Sequence, residues 1–210
     1  MSLVKPLYQP KSDITNIEEL GRLLDRSLEA LSDLIKAVPT MYPVLEVTGE
    51  GKSKKILYSP LEPIKDLQRR INATVFRGVV FPSYVNGGVR ERNYISNCLL
   101  HTEAKMVINL DISSFFESIS EREVYRIWRR FFRFPAHVCE TLTRLTTHKG
   151  RVPRGGPTST YLANLVFWDI EPLIESRLRA KGLVYSRYID DICISSDKYL
   201  DKPEISDAIR

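Results

Sequence analysis

Leu183-Val184-Tyr185-Ser186-Arg187-Tyr188-Ile189-Asp190-Asp191-Ile192-Cys193-Ile194-Ser195 is the stretch that decides the fold. Residues 183–187 and 192–195 are rich in β-branched, aromatic and small side chains that suit half-buried strands, so a hairpin is expected with Tyr188-Ile189-Asp190-Asp191 at its tip. The tip is badly matched to a tight turn, because neither Ile189 nor Asp190 is the Gly or Asn that a two-residue hairpin prefers. Strain of that kind concentrates at functional sites. Two adjacent carboxylates there call for a metal ion, although an Asp pair taken alone is ordinary turn chemistry.

A second apolar run supplies the partner. Met106-Val107-Ile108-Asn109-Leu110 ends at Asp111, the pattern of a central strand whose last residue emerges at an edge. If this strand lies antiparallel beside the hairpin, Asp111 joins Asp190 and Asp191 in an oxygen-only site, which suits Mg²⁺ and not the thiol-loving metals. Two such ions about 4 Å apart serve in-line phosphoryl transfer.

Elsewhere the pattern is helical. Thr15-Asn16-Ile17-Glu18 reads as a capping box opening one amphipathic helix to about Ala37, and Ser59-Pro60-Leu61-Glu62 opens another through Val75. Gly51 to Tyr58 is expected to be a basic turn entering a strand. A short helix is expected around Tyr94 to Leu100. Ser120-Glu121-Arg122-Glu123 caps a further helix, and one more follows Pro135. After the glycine-rich loop His148 to Pro157, Thr158 or Ser159 should cap a single long helix ending near Gly182. No repeat or long linker interrupts the chain, so the fold class is α+β.

Composition bounds the partners. With 210 residues and 43% hydrophobic content the chain can bury a substantial core, and its net charge of +5 favours an anionic partner. The positive charge is spread over Lys52–Lys55, Arg69-Arg70, Arg90 with Arg92, Arg126 to Arg133, and Arg177 to Lys181, which suits a long phosphate backbone. Cys98, Cys139 and Cys193 are odd in number and lack zinc-ligand spacing, so reduced thiols are expected. No apolar stretch is long enough to span a bilayer and the start lacks a secretory signal, so no membrane partner and a cytoplasmic location are expected.

Three blocks carry a resemblance: residues 107–119 around Asp111, residues 152–164 around Gly155-Gly156, and residues 187–195 around the paired aspartates. In order and spacing they resemble bacterial reverse transcriptases, with the retron and group II intron-like branch most similar. The resemblance implies a right-hand polymerase, with an N-terminal helical extension and fingers over 1–105. The palm, an antiparallel sheet packed on helices, would occupy 106–210, with the 149–160 loop reaching the fingers. Asp111, Asp190 and Asp191, helped by the Ile112 carbonyl, would hold two Mg²⁺ ions, with Mn²⁺ as a substitute.

Phe116 matches the aromatic position that screens out a ribose 2′-hydroxyl, so dNTP substrates are implied. Arg154 and Gly155 would close over the incoming nucleotide, and Tyr188 would pack near the primer end. Lys54 matches a triphosphate-gripping residue, a role that an alignment slip would move to Lys52 or Lys55. The implied partners are an RNA template and a DNA or RNA primer.

Two departures stand out. The family usually has Gln where this chain has Arg154, which cannot accept a hydrogen bond. Family members continue beyond the hairpin into a thumb, so a piece truncated before the thumb is expected. The leading expectation is an RNA-directed DNA polymerase core from a bacterial retroelement or a derived antiphage defence system. Alternatives are a template-independent deoxynucleotidyl transferase and a nucleic-acid-binding palm scaffold without catalysis.

Overall fold

A computed structural model describes residues 3–48 and 55–199. The elements run β1 (Leu7–Tyr8), α1 (Ile17–Leu24), α2 (Leu28–Ala37), β2 (Val44–Thr48), β3 (Lys55–Tyr58), α3 (Glu62–Thr74), β4 (Val79–Val80) and α4 (Tyr94–Leu99). There follow β5 (Met106–Asp111), α5 (Phe115–Ser118), α6 (Glu121–Arg126), α7 (Ala136–Thr146), α8 (Ser159–Leu165), α9 (Glu171–Ala180), β6 (Val184–Tyr188) and β7 (Asp191–Ser196). The class is α+β. Packing divides the chain into a helical unit, Tyr8–Val80 with Ser114–Val166, and a sheet unit, Met1–Leu7 with Phe81–Ser113 and Phe167–Arg210.

In the helical unit the expected first helix is two. Asp25 takes a left-handed φ of +53° after α1, and the Ser27 side chain accepts from Ala30 N at 3.1 Å to start α2. The apolar period continues across the break, with Leu20, Leu24 and Leu31 all buried, which is why the pattern alone read as one helix. The cap of α1 is Asn16 rather than Thr15; Thr15 instead donates through N and Oγ1 to Glu19 Oε2 at 2.6 and 2.7 Å.

Helix α3 also starts later than expected, with Pro63 rather than Pro60 in its first turn, and buries Ile64, Leu67 and Ile71. The Ser120–Glu123 capping box forms in both directions, after which the chain widens into a π turn over Ile127–Phe131. The core of this unit is aromatic: Phe76 lies 5.1 Å from Trp128 and 4.9 Å from Tyr161 between ring centroids, and Phe132 lies 4.9 Å from Trp128.

The sheet unit carries three antiparallel strands in the order β5-β7-β6. Among the described residues β5 is therefore an edge strand, not the central strand its apolar run suggested, and Val107 and Leu110 are exposed. The helix expected to run from Thr158 to Gly182 is also two, α8 and α9. Pro172, in the first turn of α9, explains the break, because in a continuous helix its ring would clash with the preceding turn. Helix α4 appears where expected, started by Asn93, whose side chain accepts from Ser96 N at 3.0 Å.

Candidate active site

The register of the sheet brings the two distant acidic positions together. Asp111, the last residue of β5, lies directly opposite Asp191, the first of β7, and Asp191 also pairs with Tyr188 at the end of β6. That leaves Ile189 and Asp190 as a two-residue loop. Ile112 N donates to the Asp190 carbonyl at 3.1 Å, tying the end of β5 to the turn. Asp111 and Asp191 are exposed, while Asp190, Ile112 and Tyr188 are half-buried.

Directly opposite residues on neighbouring strands place their Cβ atoms about 4.5–5.5 Å apart on one face, where like charges oppose each other. A bound cation would relieve that repulsion, and the all-oxygen donor set suits a hard one. Among the described residues, no three His, Cys, Asp or Glu side chains form a ready-made metal cluster, so the structure shows the facing pair and the adjacent Asp190 and no more.

The turn is strained in the way its sequence suggested. Ile189 has a φ of +60°, a left-handed conformation that costs a β-branched residue. Two contacts hold the loop. Arg187 Nη1 donates to the Ile189 carbonyl at 2.8 Å, while Gly87 lies so close that a Cβ there would stand 2.5 Å from both Ile189 N and Ile189 Cγ1. On its outer side β6 is gripped by the 84–86 segment: Arg187 N donates to Tyr84 O and Asn86 N to Arg187 O, each at 2.8 Å.

Arg187 is itself fully buried, with Nε 2.5 Å from Glu171 Oε1 and Nη2 2.9 Å from Glu171 Oε2. Tyr185 also donates to Glu171 Oε1, at 2.8 Å. Arg187, Glu171 and Gly87 had no assigned role from the sequence. The available signals were a charged residue in phase with the buried Tyr185 on a strand, and an acidic residue in an otherwise apolar helix start.

The other expected nucleotide-contacting residues lie in the helical unit. Phe116, on α5, is buried, and the Arg154 guanidinium carbon sits 5.2 Å from its ring centroid. Arg154 Nε is 3.3 Å from Glu117 Oε1. Glu117 is a further residue the sequence did not flag.

The glycine-rich loop docks on β3, where Tyr58 N donates to Arg154 O at 2.9 Å. Gly155 has a φ of +99°, and a side chain there would collide with the Tyr58 carbonyl. Thr158 is the N-cap of α8 but makes no side-chain cap bond; Ser159 Oγ donates instead to Pro153 O at 2.5 Å. Lys54 and Lys52 fall outside the described residues.

With the facing carboxylates, the strained aspartate turn and the docked glycine loop in place, the chain can be set against known proteins. A model of the reverse transcriptase (RNA-dependent DNA polymerase) family matches residues 55–209, and the chain belongs to that family. It is 37% identical over 198 residues to the retron Se72 reverse transcriptase of Salmonella heidelberg, covering 94% of this chain and 52% of that protein. Against the retron Ec48 reverse transcriptase of Escherichia coli it is 33% identical over 208 residues, covering 93% and 51%. The retron Ec86 reverse transcriptase of Escherichia coli is 24% identical over 185 residues, covering 87% and 58%. The chain thus spans about half the length of the curated relatives it matches. No helix among the described residues is long and apolar enough to cross a membrane.

Proposed function

We propose that this chain forms the fingers and palm of an RNA-directed DNA polymerase that extends a primer 3′-hydroxyl with dNTPs on an RNA template. The observation that carries the reading is the register that sets Asp111 opposite Asp191 with Asp190 in the adjoining turn. Membership of the reverse transcriptase family and the retron relatives support it. In this reading residues 1–105 are an N-terminal extension and fingers and residues 106–210 the palm. The docking of Gly155 on β3 supports a 149–160 loop that belongs with the fingers. The work would take place in the cytoplasm, in a bacterial retroelement or an antiphage defence system derived from one.

Asp111, Asp190, Asp191 and the Ile112 carbonyl would hold Mg²⁺, with Mn²⁺ as a substitute. When bound, two such ions supply activation of the attacking hydroxyl and stabilisation of the leaving oxygen. The residues of the chain do the rest. Phe116 walls the sugar pocket against a 2′-hydroxyl, Gly155 brings backbone close to the nucleotide, and Tyr188 packs against the primer end. Lys54 remains the candidate for the triphosphate.

Arg154 favours a second reading. Its guanidinium is engaged by Glu117 and by the Phe116 ring, and it can accept no hydrogen bond where the family's usual Gln can. Weakly templated or template-independent addition of deoxynucleotides is consistent with that. Primer extension on RNA and DNA templates, with Asp190→Ala Asp191→Ala as control, separates the readings. Extension only with template supports copying, and addition without template supports the transferase. Nucleic-acid binding with no Mg²⁺-dependent incorporation would leave a scaffold and sink both enzyme readings.

A further inference from the structure

Buried ion pairs seldom raise stability, because desolvating two charges costs about what their attraction returns. The fully buried Arg187–Glu171 pair therefore invites a reason other than stability. Its geometry offers one. Glu171, in the first turn of α9, takes both Nε and Nη2 of the guanidinium in a bidentate fork, and Tyr185 adds a third bond to the same carboxylate. That leaves Nη1 aimed at the carbonyl of Ile189, 2.8 Å away.

The Ile189 carbonyl belongs to the peptide that leads into Asp190, so fixing that oxygen fixes the plane from which the Asp190 side chain departs. Ile189 would not hold this turn unaided, since its φ of +60° is one that isoleucine avoids. Gly87 also packs against the turn, where its missing Cβ leaves room for Ile189 N and Cγ1. A lysine could not reproduce the arrangement: its single ammonium lacks the planar fork that serves the carboxylate and the carbonyl together.

We propose that Arg187, oriented by Glu171, is a positioning residue that holds the strained Ile189-Asp190 turn so that the carboxylates of the hairpin and of Asp111 present one cation site. The inference rests on the reading of these aspartates as a metal centre. Arg187 is fully buried and acts through the Ile189 carbonyl. Groups one step removed from a metal centre commonly change its affinity about 10–100-fold when replaced.

The test is Mn²⁺ titration of the protein by electron paramagnetic resonance, without nucleic acid, alongside thermal unfolding. Arg187→Lys should weaken Mn²⁺ binding about tenfold at temperatures where the variant is folded. Tyr185→Phe, which loosens Glu171 without removing a charge, should shift affinity in the same direction by less and keeps the test open if the lysine variant does not fold. The decisive comparison is in an Ile189→Gly background. Glycine takes positive φ without strain, so the part of the clamp's work that opposes strain is removed and the effect of either substitution should shrink.

Equal weakening in both backgrounds overturns the proposal. So does a lowered unfolding temperature with Mn²⁺ affinity unchanged, which marks a purely structural pair. Mn²⁺ binding that is absent, or indifferent to Asp190→Ala Asp191→Ala, removes the metal centre and the proposal with it. That outcome is distinct, because it shows in the unsubstituted protein and the aspartate control before any clamp residue is changed.

Discussion

The helical unit and the sheet unit both bury polar side chains, Gln68 and Thr146 in the first among them, but of the described residues only the second buries a carboxylate and a guanidinium. The first is filled with rings and aliphatic side chains, Phe76, Trp128, Phe132, Leu67 and Leu142 among them, whose burial is favourable in any orientation that fills the space. The second encloses directional polar groups. Arg187 and Glu171 are buried there, as are Ser186 and Ser195, and His101 bridges the two serines, with Nδ1 2.6 Å from Ser195 Oγ and Nε2 2.7 Å from Ser186 Oγ. A packed apolar core tolerates exchange of like volume. A polar network does not, since each group lost leaves a partner unsatisfied in low dielectric. The strained aspartate turn sits on the directional side, where backbone atoms are fixed by named bonds.

The sharpest way to break this contrast is Glu171→Ala. It leaves Arg187 charged and buried, and denaturant unfolding should show a loss of about 3–5 kcal/mol; a loss under about 1 kcal/mol would mean that the sheet unit tolerates a broken charge pair as readily as the helical unit tolerates a change of like volume. Gly87→Ala comes next. Its Cβ would meet the Ile189 backbone, so the turn must shift, at about 1–3 kcal/mol by the same assay. Leu142→Met in the helical unit conserves volume at a fully buried site. It should cost less than about 1.5 kcal/mol, and a larger cost would erase the distinction between the units.

The smallest effect is one of pH. Burial pushes His101 below its ordinary value of 6.5, so the unfolded chain takes up the proton first and stability falls as pH drops below that value. His101→Gln should flatten the dependence of the unfolding midpoint between pH 7.5 and 5.5; an unchanged slope would show that His101 does not set it.

Much of this was legible in the chain. The hairpin strands, Asp111 at a strand end, the Ser120 capping box and the poor fit of Ile189 to its turn are all local signals, and each appears in the structure. Helix breaks were less legible. The apolar stripe from Leu20 to Leu34 keeps its period through Asp25-Arg26-Ser27, and the run from Leu162 to Leu178 keeps its own past Pro172, so periodicity outweighed the cap and breaker residues inside it.

The sequence by itself determined the class of the fold and the family, and it singled out the acidic residues proposed to carry the chemistry, because strand periodicity, caps and an ordered set of acidic and glycine-rich blocks are written within a few residues of one another. Only the tertiary structure decided that Asp111 faces Asp191, that Gly87 yields the space the Ile189 turn occupies, and that Arg187 reaches from Glu171 to the Ile189 carbonyl. Those partners are far apart along the chain or meet through a side chain's direction. No local pattern encodes which surfaces close on each other; packing does, and at the aspartate hairpin packing sets the geometry of the site.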